Sequence, residues 1–96
     1  MIGIVATLKV QAGKESEFEK VFLNLRENVL ANESGCKLYE LYRSKDDRQT
    51  YIVMERYEND AAVDHHRKTD HFRAAGKQFQ SILAGAPEVS LLDSVS

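Results

Sequence analysis

Runs of β-branched and aliphatic residues, separated by polar turns, form the first pattern along the chain. Such runs occupy residues 2–10 and 50–57, and shorter ones occupy residues 36–44 and 88–92. Runs of this length that end at glycine, asparagine or aspartate predict β-strands. The polar residues 46–48 are expected to form the turn of a hairpin between the second and third strands.

A different pattern, with apolar residues three and four positions apart, predicts helices. In residues 14–31 this spacing forms one stripe, which is typical of a helix with a single buried face. Glu15 and Glu17 fall in its first turn, where the positive end of the helix dipole favours acidic side chains. This segment is therefore expected to be an amphipathic helix that follows the first strand.

The second helical segment is predicted in two pieces that meet near Lys68. A short helix over residues 61–67 is expected to start at a cap formed by Asn59 or Asp60. Thr69 is expected to be the N-cap of a longer helix that Gly85 and Pro87 end. The apolar stripe of that longer helix comprises Phe72, Ala75, Phe79, Ile82 and Leu83.

The order of these elements, βαββαβ, predicts an α+β fold of ferredoxin-like topology, with an antiparallel four-stranded sheet and helices on one face. Both faces of the predicted sheet are apolar, although a sheet with one wet face should alternate more cleanly. The third strand shows this. One of its faces carries Tyr51, Val53, Glu55 and Tyr57, and the other carries Ile52, Met54 and Arg56. We therefore expect the sheet of a second copy to cover the face without helices, in a homodimer.

Composition and charge exclude several classes of function. The 96 residues are expected to form a single domain, residues 1–96, and its 13 basic and 15 acidic side chains are mixed along the chain. Without a basic block, nucleic acid is not an expected partner. No apolar run approaches the ~20 residues of a membrane span, and no basic region precedes the apolar N-terminus as in a signal peptide. The single cysteine, Cys36, is expected to be a small buried residue in a reducing, cytoplasmic environment.

Three histidines, His65, His66 and His71, are the first candidates for chemistry. His65 and His66 cannot share a site, since adjacent helical positions diverge by about 100°. His66 lies on the inward face with Ala62 and Val63, so it is either a base that contacts a ligand or a buried histidine with one hydrogen bond. His71 follows a helix start, which favours a neutral ring that donates to a substrate oxygen, or else a surface cap. Their spacing does not favour a metal site.

Glu55 is the second candidate, because it lies in the middle of an apolar strand. A carboxyl group in such surroundings must be paired or have its pKa raised. It is expected either to anchor a ligand or to pair with an arginine such as Arg43. Aromatic residues that could wall a ligand pocket, or equally pack in the core, are Tyr39, Tyr57, Phe22 and Phe72.

Four segments in a fixed order carry a resemblance to a known family. They are residues 13–18 (GKESEF), 33–36 (ESGC), 51–57 (YIVMERY) and 61–66 (AAVDHH), the last followed by His71 and Phe72. Over nearly its whole length the chain resembles the antibiotic biosynthesis monooxygenase (ABM) domain family. The resemblance implies a dimeric α+β barrel in which His66 and His71 fill the two histidine positions of the family pattern.

The resemblance implies a small-molecule substrate and three alternative functions. The first is cofactor-independent oxygenation of a quinol or phenol, with His66, His71 and Glu55 as catalytic residues. The second is proton-shuttling isomerisation of a small keto compound, as in a family member that processes a phosphorylated quorum-sensing signal. The third is a non-enzymatic binding or stress protein. A phosphorylated substrate would need a basic anchor, for which the candidates are Arg43, Arg67 and Lys68.

No bound cofactor is expected. The chain lacks the glycine-rich, zinc-binding and nucleophile-elbow motifs of nucleotide, metal and acyl-transfer enzymes. Haem-degrading members of the family use an asparagine, a tryptophan and an axial histidine. This chain has no tryptophan, and Thr7 and Gly76 stand near the other two positions, so haem is not expected either.

Overall fold

Four strands and three helices build the fold, and the computed structural model describes residues 1–96. The elements are β1 (Ile2–Lys9), α1 (Glu15–Asn32), β2 (Cys36–Arg43), β3 (Thr50–Tyr57), α2 (Asp60–Lys68), α3 (Asp70–Phe79) and β4 (Glu88–Asp93). All strand pairs are antiparallel, in the order β2-β3-β1-β4. The prediction of a ferredoxin-like α+β fold is confirmed. No helix is both long and apolar enough to cross a membrane.

The inner face of the sheet packs against the helices and forms the core. The α1 stripe predicted from the sequence is buried at Phe18, Phe22, Leu25 and Val29. Burying a side chain of this size contributes roughly 1.5–3 kcal/mol to folding. Opposite this stripe lie the inward residues of β1 and β3, which include Ile4, Ala6, Leu8, Tyr51, Val53 and Tyr57.

Two capping side chains set the break between α2 and α3. The side chain of Asn59 accepts a hydrogen bond from the backbone N–H of Ala62 at 2.9 Å, which starts α2. The Thr69 hydroxyl donates to the carbonyl of His66 at 2.8 Å and accepts from the N–H of Phe72 at 3.3 Å. Thr69 therefore ends one helix and starts the next, which confirms the predicted cap and break.

The predicted extension of the last helix to Leu83 is wrong. Helix α3 ends at Phe79, and the chain turns so that the N–H groups of Ile82 and Leu83 both donate to the Phe79 carbonyl, at 3.0 and 2.9 Å. The following residues then join the end of β1, through a bridge between Leu83 and Val10. Ile82 is still buried, so its apolar spacing reflects core packing within a turn.

The outer face of the sheet carries no helix. Met54 lies near its centre and is 40% exposed, while Tyr42 and Leu92 at its sides are about half exposed, at 49% and 52%. Together with them, the apolar side chains of this face are Val5, Leu38 and Ile52. The sequence-based expectation of two apolar sheet faces is thus realised in the strand register.

Candidate functional site

A cavity of about 520 Å³ lies between the inner face of the sheet and the helices. Hydrophobic residues account for 13 of the 20 residues that line it. A cavity of this size and character falls within the range of small-molecule sites. Of the residues predicted to form the site, those that line the cavity are His66, Glu55, Tyr39, Phe72 and Phe22. His71 and Tyr57 do not line it.

His66, in the last turn of α2, is the polar centre of the cavity. Its side chain is almost fully buried, and its ring lies 4.6 Å from that of Phe72 and 5.5 Å from that of Tyr39, between ring centroids. One ring nitrogen, Nδ1, is 2.9 and 3.1 Å from the two carboxyl oxygens of Glu33. The aromatic neighbours and this hydrogen bond hold the imidazole in one orientation.

Glu33 is the residue of this site that the sequence-based reasoning missed, since it was noted only as part of a family motif. It follows α1 directly, and its side chain is 2% exposed. The negative end of a helix dipole disfavours a carboxylate at that position, and a buried carboxylate needs partners. An acidic residue straight after a helix was therefore the available signal. Its partners, His66 and His71, come from elements far away in the sequence.

The hydrogen bond to Glu33 fixes how His66 can react. Because Nδ1–H donates to the carboxyl group, Nε2 carries the lone pair. Nε2 has no hydrogen-bond partner in the chain, and no buried side-chain nitrogen or oxygen lacks a partner, so Nε2 faces the open space of the cavity. Burial lowers the pKa of His66, against the opposing effect of Glu33. The ring is thus neutral at pH 7 and presents a base to the cavity.

His71 lies on the far side of Glu33 from the cavity. Its Nε2 is 2.5 Å from Oε2 of Glu33, and its side chain is 17% exposed. The ring lines a second, smaller groove between α1 and α3. The structure therefore places His71 outside the cavity lining, in contact with the site through Glu33.

Glu55 also lines the cavity, and its hydrogen bond comes from Tyr57. The Tyr57 hydroxyl donates to Oε1 of Glu55 at 2.6 Å. The alternative pairing with Arg43 is not formed, because Arg43 pairs with Glu19 at 3.2 Å. Burial raises the pKa of Glu55 to about 7, and Glu33 adds to this rise. The Tyr57 hydrogen bond and the positive charge of Arg67, which also lines the cavity, act in the opposite direction.

Glu33, His66 and His71 are residue types that can also bind zinc, so their geometry matters. The two histidines do not converge on a common point beside the carboxyl group. Each ring nitrogen instead approaches a carboxyl oxygen at hydrogen-bond distance. No group of three or more His, Cys, Asp or Glu residues in the chain could hold a metal ion. The arrangement is that of a braced base.

Comparison with known proteins places this site in a family. The family model described as antibiotic biosynthesis monooxygenase matches residues 1–78. A Bacillus subtilis (strain 168) protein named "Putative monooxygenase YcnE" is 30% identical over 84 residues, which cover 84% of this chain and 87% of that protein.

Solved structures agree with this match. A structure described as a "putative antibiotic biosynthesis monooxygenase" from Caulobacter crescentus CB15 is 52% identical, with a TM-score of 0.96, over 99% of this chain and 90% of that one. A conserved protein from Methanosarcina mazei Go1 is 25% identical, with a TM-score of 0.90, over 95% and 89%. The family match spans Glu33, Glu55, His66, Arg67 and His71. The chain therefore belongs to the antibiotic biosynthesis monooxygenase family.

Proposed function

We propose that this protein is a monooxygenase that oxidises a small quinol or phenol in the cavity without a bound cofactor. The observation that carries the proposal is the Glu33–His66 pair, which presents a neutral, oriented imidazole to an apolar pocket. A base of this kind can take the phenolic proton, because Nε2 is free and Nδ1 is held by a carboxyl group. The family membership supports a reaction of this class.

The chemistry requires only the substrate and dioxygen once the proton has gone to His66. The phenolate gives an electron to O₂, and the two radicals combine at a ring carbon to form a peroxide anion. A proton delivered through His66 converts this anion to the hydroperoxide. Loss of water from the hydroperoxide leaves one oxygen atom on the ring, so a hydroquinone and O₂ yield a hydroxyquinone and H₂O. The apolar walls, which include Phe22, Tyr39 and Phe72, exclude water from the reactive intermediates.

Two further polar groups of the cavity suit a substrate with ring oxygens. Because the pKa of Glu55 is about 7, its carboxyl group is substantially protonated at neutral pH and can donate a hydrogen bond to an oxygen. Arg67 supplies a positive charge that favours the anionic form of the substrate. These groups, together with His66 and Gln80, place polar side chains within mainly apolar walls.

The test is oxygen uptake by the purified protein with a panel of hydroquinones, naphthols and polycyclic phenols. His66→Gln should lower the rate by about 10²–10⁴-fold, the usual contribution of a positioned base. His65→Gln is the matched control, since His65 is the exposed neighbour on the same helix and should tolerate the change. A folded His66→Gln protein with full oxygen uptake would contradict the proposal.

Isomerisation of a small keto compound is the second candidate, and one observation favours it. His66 is a neutral base near pH 7, while Glu55 is partly protonated there, so one group can remove a proton and the other can return it. Of the three basic residues predicted to anchor a phosphorylated substrate, only Arg67 lines the cavity. An isomerase works unchanged in anaerobic buffer, whereas the monooxygenase stops.

A homodimer formed by sheet-to-sheet packing also belongs to this proposal. The outer face of the sheet would otherwise expose a contiguous set of apolar side chains around Met54. Apolar patches of this kind on a small soluble protein mark interaction surfaces. A second copy presents the same face, so the two sheets can pack against each other as in a β-sandwich.

A further inference from the structure

The hydrogen bonds of Glu33 connect two openings on opposite sides of the helices. Its two carboxyl oxygens meet Nδ1 of His66 at 2.9 and 3.1 Å, and Oε2 meets Nε2 of His71 at 2.5 Å. His66 lines the large cavity, and His71 lines the smaller groove between α1 and α3. We propose that His66, Glu33 and His71 form a proton relay that connects the cavity with that groove. The proposal rests on the proposed role of His66 as the base.

A relay answers a requirement that the cavity itself creates. In the proposed reaction His66 takes one proton from the phenol and later supplies one to the peroxide, and it is only 3% exposed. The walls that keep water from the reaction also hinder exchange of protons through the cavity, above all when a ligand fills it. His71 is more exposed than His66, at 17% of its side chain, so the path leads outward through Glu33.

The proton balance of the relay is closed. In the outward direction Nε2 of His66 accepts the substrate proton, and the Nδ1 proton of His66 moves to Oε1 of Glu33. The relay starts from a state with one proton in the short hydrogen bond between Oε2 of Glu33 and Nε2 of His71, and another on Nδ1 of His71. The shared proton moves to Nε2, His71 releases its Nδ1 proton into the groove, and His66 is left with its proton on Nε2 until the reverse sequence restores the starting state. One proton enters and one leaves, so the three side chains keep their total charge. The reverse sequence returns a proton to the substrate.

The groove at the outer end suits this release. Nδ1 of His71 has no hydrogen-bond partner in the chain, so it is free to exchange its proton. The groove is small, about 290 Å³, and its other polar residues are Asn24, Asn28, Asp70 and Gln78. Asp70 is the one acidic residue among them and can attract the departing proton. The two openings therefore differ in character, since the cavity is mainly apolar whereas five of the nine residues that line the groove are polar.

A brace is the simpler role for His71, and one substitution separates the two roles. His71→Gln leaves an amide N–H that can donate to Glu33, but an amide cannot accept a proton at one end and release another. His71→Leu fills the space with an apolar side chain and serves as the second variant if Gln disturbs the fold. His65→Gln is the control for loss of a histidine from the same region.

The experiment measures exchange of the hydrogen-bonded Nδ1 proton of His66 with water, by NMR saturation transfer on histidine-labelled protein at pH 7. In His71→Gln and His71→Leu we expect exchange to slow by about tenfold or more, since a positioned proton carrier is lost. In His65→Gln it should not change. If exchange broadens the signal beyond detection in the wild type, its appearance in the His71 variants is the expected result.

Unchanged or faster exchange in the folded His71 variants would overturn the relay, because protons would then reach His66 through the cavity. This readout needs no substrate, so it fails independently of the proposed function. If oxygen uptake depends on His66 but proton exchange is unchanged in the His71 variants, only the relay is rejected. Exchange that depends on His71 in a protein that turns over neither phenols nor keto compounds rejects the proposed function alone.

Discussion

At the scale of single residues, the sequence could identify His66 but not its partner. The inward position of His66 follows from local helix geometry, since Ala62 and Val63 share its face. Glu33 is separated from His66 by two strands of the hairpin, and only the folded sheet brings them together. For the same reason His71 was predicted to face the ligand, whereas its ring lies on the other side of Glu33. Pairings between distant elements depend on packing that helix and strand periods do not encode.

The first residue-scale prediction concerns Glu33. Glu33→Gln presents an amide N–H where a carboxyl oxygen accepted, so Nδ1 of His66 becomes the acceptor and the proton moves to Nε2. The lone pair of His66 then faces the new glutamine instead of the cavity. Turnover should fall by about 10²-fold or more, as expected when a catalytic histidine is held in the wrong tautomer. The measurement compares the kcat of Glu33→Gln with that of Glu27→Gln, since Glu27 is an exposed residue on α1. Equal activity of the two variants would show that Glu33 does not orient the base.

The second residue-scale prediction is a pH dependence of stability due to Glu55. Its pKa is raised from 4.5 to about 7, so the native protein binds this proton more tightly than the unfolded chain. The free energy of unfolding therefore loses about 3 kcal/mol as the pH rises through that interval. Glu55→Gln should lack this loss, so it gains stability relative to wild type between about pH 5 and pH 8.

Urea unfolding at several pH values measures this difference directly. His66 affects the pH dependence of stability in the opposite sense, because its lowered pKa makes the native state lose stability as the pH falls. Wild type and Glu55→Gln both contain His66, so this effect cancels in their difference. Glu88→Gln, an exposed residue of β4, should follow the wild-type curve. A constant difference between wild type and Glu55→Gln at all pH values would mean that Glu55 titrates normally.

At the scale of elements, the sequence predicted where helices begin better than where they end. Thr69 has a local effect, since it bonds to the backbone within three residues on either side. The end of α3 instead depends on β1, because the N–H of Ala84 donates to the carbonyl of Lys9 and that of Gln11 to the carbonyl of Ile82. The apolar spacing of the stripe continues through this turn, so periodicity alone extended the helix.

The element-scale prediction concerns the approach of α2 to the segment that carries Glu33. A Cβ atom at Gly35 would lie 2.6 Å from the Cβ of Ala62, closer than two such carbons can pack. Gly35→Ala should therefore push α2 away and cost about 1–3 kcal/mol, as overpacking does. It should also weaken the contact between His66 and Glu33, which lies beside this approach.

Removal of the opposing methyl group tests that explanation. Ala62→Gly alone should cost about 1 kcal/mol of helix propensity. In the double variant the clash is gone, so its loss of stability should be smaller than the sum of the losses in the two single variants. Urea unfolding of the four proteins gives the coupling energy, and simple additivity would show that the Gly35 variant loses stability for another reason.

At the scale of the whole molecule, the order of the predicted elements was enough to predict the sheet and its helix-covered face. The register agrees with it, because Ile4, Ala6 and Leu8 face the core beside Tyr51 and Val53. The part of the cavity lining that follows α3 could not be predicted in this way. It depends on where the segment after α3 returns to the sheet, and residues 83–87 of that segment line the cavity.

The last prediction tests the sheet-to-sheet dimer. Met54 is central on the outer face and pairs with Val5 across the strands, so a dimer would bury it beside its symmetry-related copy. Met54→Lys would bring two positive charges together in an apolar interface and should convert the dimer to monomers. Leu23→Lys is the matched control, because Leu23 is similarly exposed but lies on α1. Light scattering should give about twice 10.9 kDa for wild type and Leu23→Lys, and about 10.9 kDa for Met54→Lys. A wild-type protein with the mass of one chain at micromolar concentration would reject the dimer, and the outer face would then need another partner.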